Sequence, residues 1–167
     1  MANILDYIDW RGDLAFEASP FNDIDNLIFT QLSFIDFESI VPGVNSDGCI
    51  RLSDAAEEFF STREADKIEM GVLISNDIVK LFEKMAVSPR YKDLMLKKYI
   101  NRIDYEKQQQ FAALTILIGD SLMYVAFRGT DDTIVGWKED FNMAFQYPVP
   151  SQEAAAAYLN EAAFHCR

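Results

Sequence analysis

Two apolar runs separated by a short turn sequence constrain the fold of this chain more than any other feature. Residues 111–118 and 122–127 are rich in β-branched and aromatic side chains, and Gly119-Asp120-Ser121 stands between them. Such runs predict two strands joined as a hairpin within a sheet, with a two-residue turn that begins with Gly119. The chain is therefore expected to contain a sheet and not to fold as helices alone.

Helical patterns dominate the residues before the hairpin. Asn22 or Asp23 can cap a helix whose apolar positions run to Ile35, and Ser53, Asn76 or Asp77, and Ser88-Pro89 are typical starts of three more. Two further helical patterns follow the hairpin, at about 134–145 and 151–163. The order predicts a mixed α/β fold in a single domain of residues 1–167, helical over 1–96 and with sheet and helices over 97–167.

Charge and hydropathy exclude several classes of partner. Fifteen basic residues against 27 acidic ones give a net charge of -12, so the chain lacks the basic surface that binds nucleic acid or an anionic membrane. No apolar run reaches the roughly 18 residues of a spanning helix, and the first residues do not resemble a signal peptide. We expect a protein that does not span a membrane and is cytoplasmic, with Cys49 and Cys166 as free thiols.

Three short motifs resemble functional sites but also have simpler explanations as turns or loops. Asn45-Ser46-Asp47-Gly48 with Asp54 resembles part of a calcium loop, but Gly43 stands where the first carboxylate belongs, so we interpret it as a turn with a left-handed glycine. Asp131-Asp132 is interpreted as a solvated loop, and we expect neither a metal nor a cofactor. The third motif, Gly119-Asp120-Ser121-Leu122, matches the signature of GDSL hydrolases, whose nucleophile is the serine. A hairpin turn would account for the same four residues. The D-x-x-H motif of that family is also missing, because Ala162 stands three residues before the single histidine, His165.

The segment after the second run is the more informative one. A strand ends at Phe127-Arg128-Gly129-Thr130, and a helical pattern that contains Trp137 and Asp140 follows. Sites in α/β sheets lie at this end of a strand. A glycine lets the backbone approach a ligand closely, and Thr130 can offer both an N–H and a hydroxyl to a developing oxyanion.

These residues carry a family resemblance. The pattern F-R-G-[S/T] followed by W-x-x-D-[L/F] resembles the class 3 lipases of the α/β-hydrolase superfamily. The opening Ala2-Asn3-Ile4-Leu5-Asp6-Tyr7 and the long stretch from Phe127 to Asn142 are similar to a group of bacterial lipase-like proteins. The resemblance implies a partial α/β-hydrolase-like sheet with a helical N-terminal region, and a lipid or acyl ester as substrate.

Site roles follow from the same resemblance. It implies that Thr130 forms the oxyanion hole, that Asp140 supports the Thr130 hydroxyl, and that Gly129 and Trp137 belong to the substrate and lid segment. Thr130 and Trp137 are seven residues apart, where the family has six. Two alternatives remain open: Trp137 as a core anchor, and Asp140 as an ion-pair partner of Arg128 or Lys138.

The nucleophile motif of the resembled family is absent from this sequence. No G-x-S-x-G occurs, and the single histidine, His165, is the third residue from the end of the sequence. We therefore expect the N-terminal portion of a lipase-like hydrolase, truncated and inactive alone. Two alternatives are kept: a non-catalytic module that self-associates into a homo-oligomer through an exposed sheet edge, and a GDSL-type esterase that uses Ser121.

Overall fold

A four-stranded antiparallel sheet forms the centre of the fold. In the computed structural model of the protein, residues 3–62, 77–129 and 134–164 are described. The strands are β1 (Ile50–Arg51), β2 (Met95–Asp104), β3 (Gln109–Ile118) and β4 (Leu122–Phe127), and they lie in the sheet in the order β1-β2-β3-β4. The helices are α1 (Ile4–Arg11), α2 (Asp23–Leu32), α3 (Leu52–Thr62), α4 (Asp77–Val87), α5 (Ile134–Asn142) and α6 (Pro150–Phe164).

The predicted hairpin is confirmed, with a longer turn than expected. Strands β3 and β4 pair from Ala113 with Phe127 to Ile118 with Leu122, which leaves three residues in the turn. Gly119 begins the turn at φ 61°, in the left-handed region that glycine adopts without strain. The two-residue turn was wrong because the pairing closes at Leu122, one residue later than the turn sequence alone requires.

The two faces of the sheet pack against different helices. Leu114, Ile116 and Ile118 alternate along β3 towards a core shared with α2, α3 and α4. On the opposite face, Phe111 and Ala113 pack against α6, where Tyr158 and Ala162 are buried. The alternation of buried side chains to both faces explains why β3 is almost continuously apolar, as strands covered on both sides are.

The fold class is the mixed α/β class with a helical N-terminal region. The cap at Asn22 is confirmed, because its side chain accepts hydrogen bonds from the N–H groups of Ile24 and Asp25. That helix ends at Leu32, however, and not at Ile35. Within the predicted helical part, the short strand β1 pairs with β2, which itself begins at residue 95.

Two other helix starts were wrong. Helix α3 begins at Leu52, one residue before the predicted cap Ser53, because the N–H of Leu52 bonds to the carbonyl of Leu94 and fixes the chain there. Ser88-Pro89 begins only a turn, since the chain bends back through residues 89–93 into β2. Helix α4 starts at Asp77; its alternative cap, Asn76, lies outside the described residues.

Candidate functional site

The turn after β4 is the predicted oxyanion site, and the structure describes it as far as Gly129. The N–H of Arg128 donates to the carbonyl of Ala112 at 3.0 Å, so pairing with β3 continues just beyond β4. Thr130 lies outside the described residues, as do Asp131 and Asp132. The role of Thr130 as an oxyanion donor therefore stays a prediction, and so does the solvated loop.

Gly129 is exposed at the end of this strand. A methyl group in place of its hydrogen would lie 3.9 Å from Cζ of Phe34, an ordinary van der Waals distance, with no other contact within 4 Å among the described residues. The described surroundings thus leave open space beside this backbone. Among the described residues, nothing prevents a ligand from approaching the Gly129 backbone closely, as the sequence analysis predicts for this glycine.

Helix α5 presents its aromatic residues to solvent. Trp137 is 60% exposed, and Phe141, one helical turn further on, is 78% exposed. The interpretation of Trp137 as a core anchor is wrong, because the buried side of α5 is formed by Val135 and Glu139 instead. Residues four apart lie on one side of a helix, so Trp137 and Phe141 form a joint apolar surface.

The buried carboxylate of α5 belongs to Glu139 and not to its neighbour Asp140. Glu139 is 5% exposed, whereas Asp140 is exposed. The family resemblance implied a role for Asp140 and none for Glu139. A signal for Glu139 was present in the sequence, since it stands four residues after Val135 and so shares the buried side of the helix.

Glu139 connects three elements by hydrogen bonds. Its Oε2 accepts from the N–H of Gln110 in β3 at 2.8 Å, and its Oε1 accepts from the N–H of Ser151 in α6 at 2.7 Å. The Ser151 hydroxyl lies 2.7 Å from Oε2 of Glu139 and 2.8 Å from the carbonyl of Gln110. This cluster fixes α5 against the sheet and thereby sets where Trp137 and Asp140 lie.

The serine of the GDSL alternative stands at the tip of the β3–β4 hairpin. Ser121 is exposed, and the chain continues from it directly into β4. It lines a cavity of about 460 Å³ between the sheet and the last turn of α6, together with Lys97, Lys98 and Asp120. The single histidine, His165, follows α6 outside the described residues, so the structure describes no histidine beside Ser121.

The other motifs carry no metal site in the described ranges. The calcium-like segment contains a turn closed by the N–H of Ser46 and the carbonyl of Gly43 at 3.0 Å. Gly48, however, does not have the left-handed conformation that we expected, because its N–H turns to the Ser46 hydroxyl at 3.1 Å. No cluster of metal-ligating side chains occurs among residues 3–62, 77–129 and 134–164. Cys49 is a free, exposed thiol, and Cys166 lies outside these ranges.

Comparison with known proteins gives one family match. A family model described as Mbeg1-like matches residues 85–166, just under half of the chain, from the end of α4 through the sheet strands β2–β4 to the residues beyond α6. No curated protein and no solved structure matches the chain. In the described residues, no helix is long and apolar enough to cross a membrane.

Proposed function

We propose that this chain supplies the oxyanion strand of a lipase-like serine acyl hydrolase. The observation that carries the proposal is the order of three elements. Strand β4 lies at the edge of the sheet, the described residues leave room beside Gly129, and helix α5 carries the exposed Trp137. In this function the N–H of Thr130 donates to the oxyanion that forms when an alcohol attacks an acyl ester. The match over residues 85–166 covers these same elements and gives them no chemistry of its own.

The nucleophile and the histidine base must come from another polypeptide segment, because the sequence contains no G-x-S-x-G. Among the described strands, β4 pairs with β3 on one side and has no strand on the other. An unpaired edge accepts a further strand through its backbone N–H and C=O groups. A strand added there would pair with β4 and could bring a serine at its end close to Gly129.

Backbone substitution tests the role of Thr130. Thr130→Pro removes the proposed donor, and Thr130→Ala keeps the N–H as a matched control. We expect the isolated chain to leave p-nitrophenyl butyrate intact, and a complex with a G-x-S-x-G segment that binds β4 to hydrolyse it. In that complex, Thr130→Pro should lower kcat about 100- to 1,000-fold, the cost of one oxyanion donor. Equal rates for the two variants would refute the oxyanion role.

The same assay separates the GDSL alternative. Hydrolysis by the isolated chain that Ser121→Ala abolishes would assign the nucleophile to Ser121 and displace the lipase-like proposal. Labelling of the isolated chain by a fluorophosphonate, mapped to Ser121, would do so independently. Loss of activity in Ser121→Ala is readily interpreted, because this exposed turn residue packs against no core cluster.

A non-catalytic, self-associating module is the second candidate. It is favoured by the open side of β4 and by the exposed aromatic residues on α5 and just after it, namely Trp137, Phe141, Phe145 and Tyr147. Sedimentation velocity should then show a dimer that Phe141→Glu dissociates. Tyr105→Glu, at the equally exposed tip of the β2–β3 hairpin, serves as the control. A monomer at all concentrations would reject this candidate.

A further inference from the structure

An irregularity in β2 places two lysines on one face of the sheet. Lys97 pairs with Thr115 and Ile100 pairs with Ala113, so β2 has one residue more than β3 between these pairs. The extra residue is a β-bulge, and Lys98 within it has a φ of 57°. Left-handed backbone costs a residue other than glycine about 1–2 kcal/mol, and such conformations cluster at functional sites.

Because of the bulge, Lys97 and Lys98 are not on opposite faces as neighbours in a strand would be. Lys97 lies across from Thr115, whose hydroxyl is 2.7 Å from the hydroxyl of Tyr158 in α6. The Nζ of Lys98 also reaches α6, at 3.4 Å from Oε1 of Glu161. Both lysines therefore lie on the α6 side of the sheet, where they line the cavity of about 460 Å³.

The cavity is lined by four apolar and five polar side chains, besides Gly119. Its remaining walls come from the β3–β4 hairpin, from β3 and β4 themselves and from the last turn of α6. Its volume falls within the range of about 300 to 1,000 Å³ that is typical of small-molecule sites. The apolar side chains that line it are Leu117, Leu122, Met123 and Ala162, and the polar ones besides the lysines are Thr115, Asp120 and Ser121.

The wall behind the lysines is rigid and neutral. The Tyr158 hydroxyl donates to the carbonyl of Lys98 at 2.8 Å, which holds the bulge in its strained conformation. Burial raises the pKa of Tyr158 to about 12, with the hydrogen bond from Thr115 acting in the opposite sense and Glu161 adding to the rise. Tyr158 is therefore uncharged at neutral pH and does not compete with an anionic ligand for the lysines.

The two lysines differ in how freely their positive charge can interact with a ligand in the cavity. The Lys98 ammonium, on a side chain that is almost fully buried, donates to the carbonyl of Val44 at 2.7 Å and faces Glu161. Lys97 is half-buried, and no carboxylate lies within 4.0 Å of its Nζ among the described residues. Of the two lysines that line the cavity, Lys97 is therefore the one whose charge is available to a ligand.

We infer that this cavity binds a small organic monocarboxylate, with the carboxylate at Lys97 and a compact apolar body against Leu117, Leu122 and Met123. One available cation matches one negative charge. A dianion would face Asp120 and the C-terminal end of α6, whose carbonyl groups carry partial negative charge, without a second countercharge. The site is separate from the Gly129 turn, so it is independent of the proposed hydrolase function.

Three ligands with the same apolar body test the charge requirement. Hexanoate, hexan-1-ol and hexyl phosphate are titrated into the ¹⁵N-labelled full chain, and amide shifts are followed by NMR. We expect hexanoate to give saturable shifts at Lys97, Ser121 and Met123, with the alcohol and the phosphate binding at least about tenfold more weakly. Hexyl phosphate binding as tightly as hexanoate would overturn the monocarboxylate assignment, and hexanol doing so would overturn the role of Lys97.

Two variants locate the site. Lys97→Met keeps the aliphatic stem and removes the charge, so hexanoate affinity should fall about tenfold or more, as for a lost hydrogen bond to a charged group. Leu122→Glu, at an exposed cavity residue, should abolish binding without loss of core packing. Lys92→Met, at an exposed lysine outside the cavity, should bind as the wild type does. Unchanged affinity in both cavity variants, or an equal loss in Lys92→Met, would refute the site.

Discussion

Arg90 and Asp25 form a two-point ion pair in the interior of the protein. Nε of Arg90 donates to Oδ1 of Asp25 at 2.8 Å and Nη2 donates to Oδ2 at 2.5 Å, with both side chains fully buried. Nη1 donates to the carbonyls of Leu14 and Ser19 at 2.8 and 2.7 Å. Burial alone would lower the pKa of Arg90, but the hydrogen bonds and charge of Asp25 outweigh it and raise the pKa. Arg90 therefore stays charged, and its hydrogen bonds tie the loop before α2 to the turn before β2.

Removal of the Arg90 charge should destabilise the protein strongly. Arg90→Met leaves the Asp25 carboxylate buried without its partner, and breaking a buried pair in this way costs about 3–5 kcal/mol. Urea denaturation followed by circular dichroism measures the change in the free energy of unfolding. Arg51→Met is the control, since its ion pair with Asp93 is exposed at 3.7 Å and should contribute at most about 1 kcal/mol. Similar losses in the two variants would contradict the importance of the buried pair.

Local patterns predicted strands β3 and β4 and the N-terminus of α2. The β3–β4 hairpin follows from side-chain type and turn residues, and Asn22 caps α2 through hydrogen bonds to its own first turn. Such features depend on residues that are close in sequence. They can therefore be recognised without knowledge of the rest of the fold.

Features that depend on distant partners were missed. The bulge at Lys98 arises where β2 meets α6, and the burial of Glu139 depends on Gln110 and Ser151. Neither set of partners is visible in a local pattern, although the spacing of Glu139 from Val135 does indicate the buried side of α5. The resemblance concentrated attention on Asp140, whereas the carboxylate that the fold buries is its neighbour.

Loss of the Glu139 carboxylate should detach α5 from the sheet. Glu139→Ala leaves the N–H groups of Gln110 and Ser151 without their acceptor, and each unsatisfied buried group costs about 1–3 kcal/mol. We expect a lower free energy of unfolding and faster amide exchange at Ser151. Glu57→Gln, on the exposed side of α3, should change neither. Unchanged exchange at Ser151 in Glu139→Ala would show that the cluster does not hold α5.

Alkaline pH should unfold the protein through its buried tyrosines. Burial is the main cause that raises the pKa of Tyr99 and Tyr158 to about 12, and burial with the Asp25 hydrogen bond raises that of Tyr91. In the unfolded chain these phenols titrate near pH 10. The stability they provide is fully present below about pH 10 and declines as the pH rises towards 12, by up to about 1.4 kcal/mol per pH unit for each tyrosine.

Tyrosinate absorbance and urea midpoints measure this effect together. Native protein should show part of its tyrosine ionisation delayed beyond pH 11, and protein in urea should show all of it near pH 10. Tyr158→Phe should reduce both the delayed fraction and the pH slope of stability. Complete ionisation of the native protein near pH 10 would contradict the burial of these phenols.

We expect alanine to destabilise the protein more at Gly12 than at Gly119. A Cβ on Gly12, at the end of α1, would lie 2.4 Å from the carbonyl oxygen of Ile8 and 2.6 Å from Oγ of Ser88, closer than atoms can pack. The clash would also disturb the 2.7 Å hydrogen bond from the Ser88 hydroxyl to the Gly12 carbonyl, so we expect Gly12→Ala to cost about 3 kcal/mol, the upper part of the range for overpacking. A Cβ on Gly119 would have no described atom within 4 Å, so Gly119→Ala should cost only the strain of the left-handed backbone, about 1–2 kcal/mol. In thermal unfolding, Gly12→Ala should have the lower Tm of the two variants. The reverse order would contradict this prediction, because it would mean that the end of α1 accommodates the added methyl group and the hairpin turn does not.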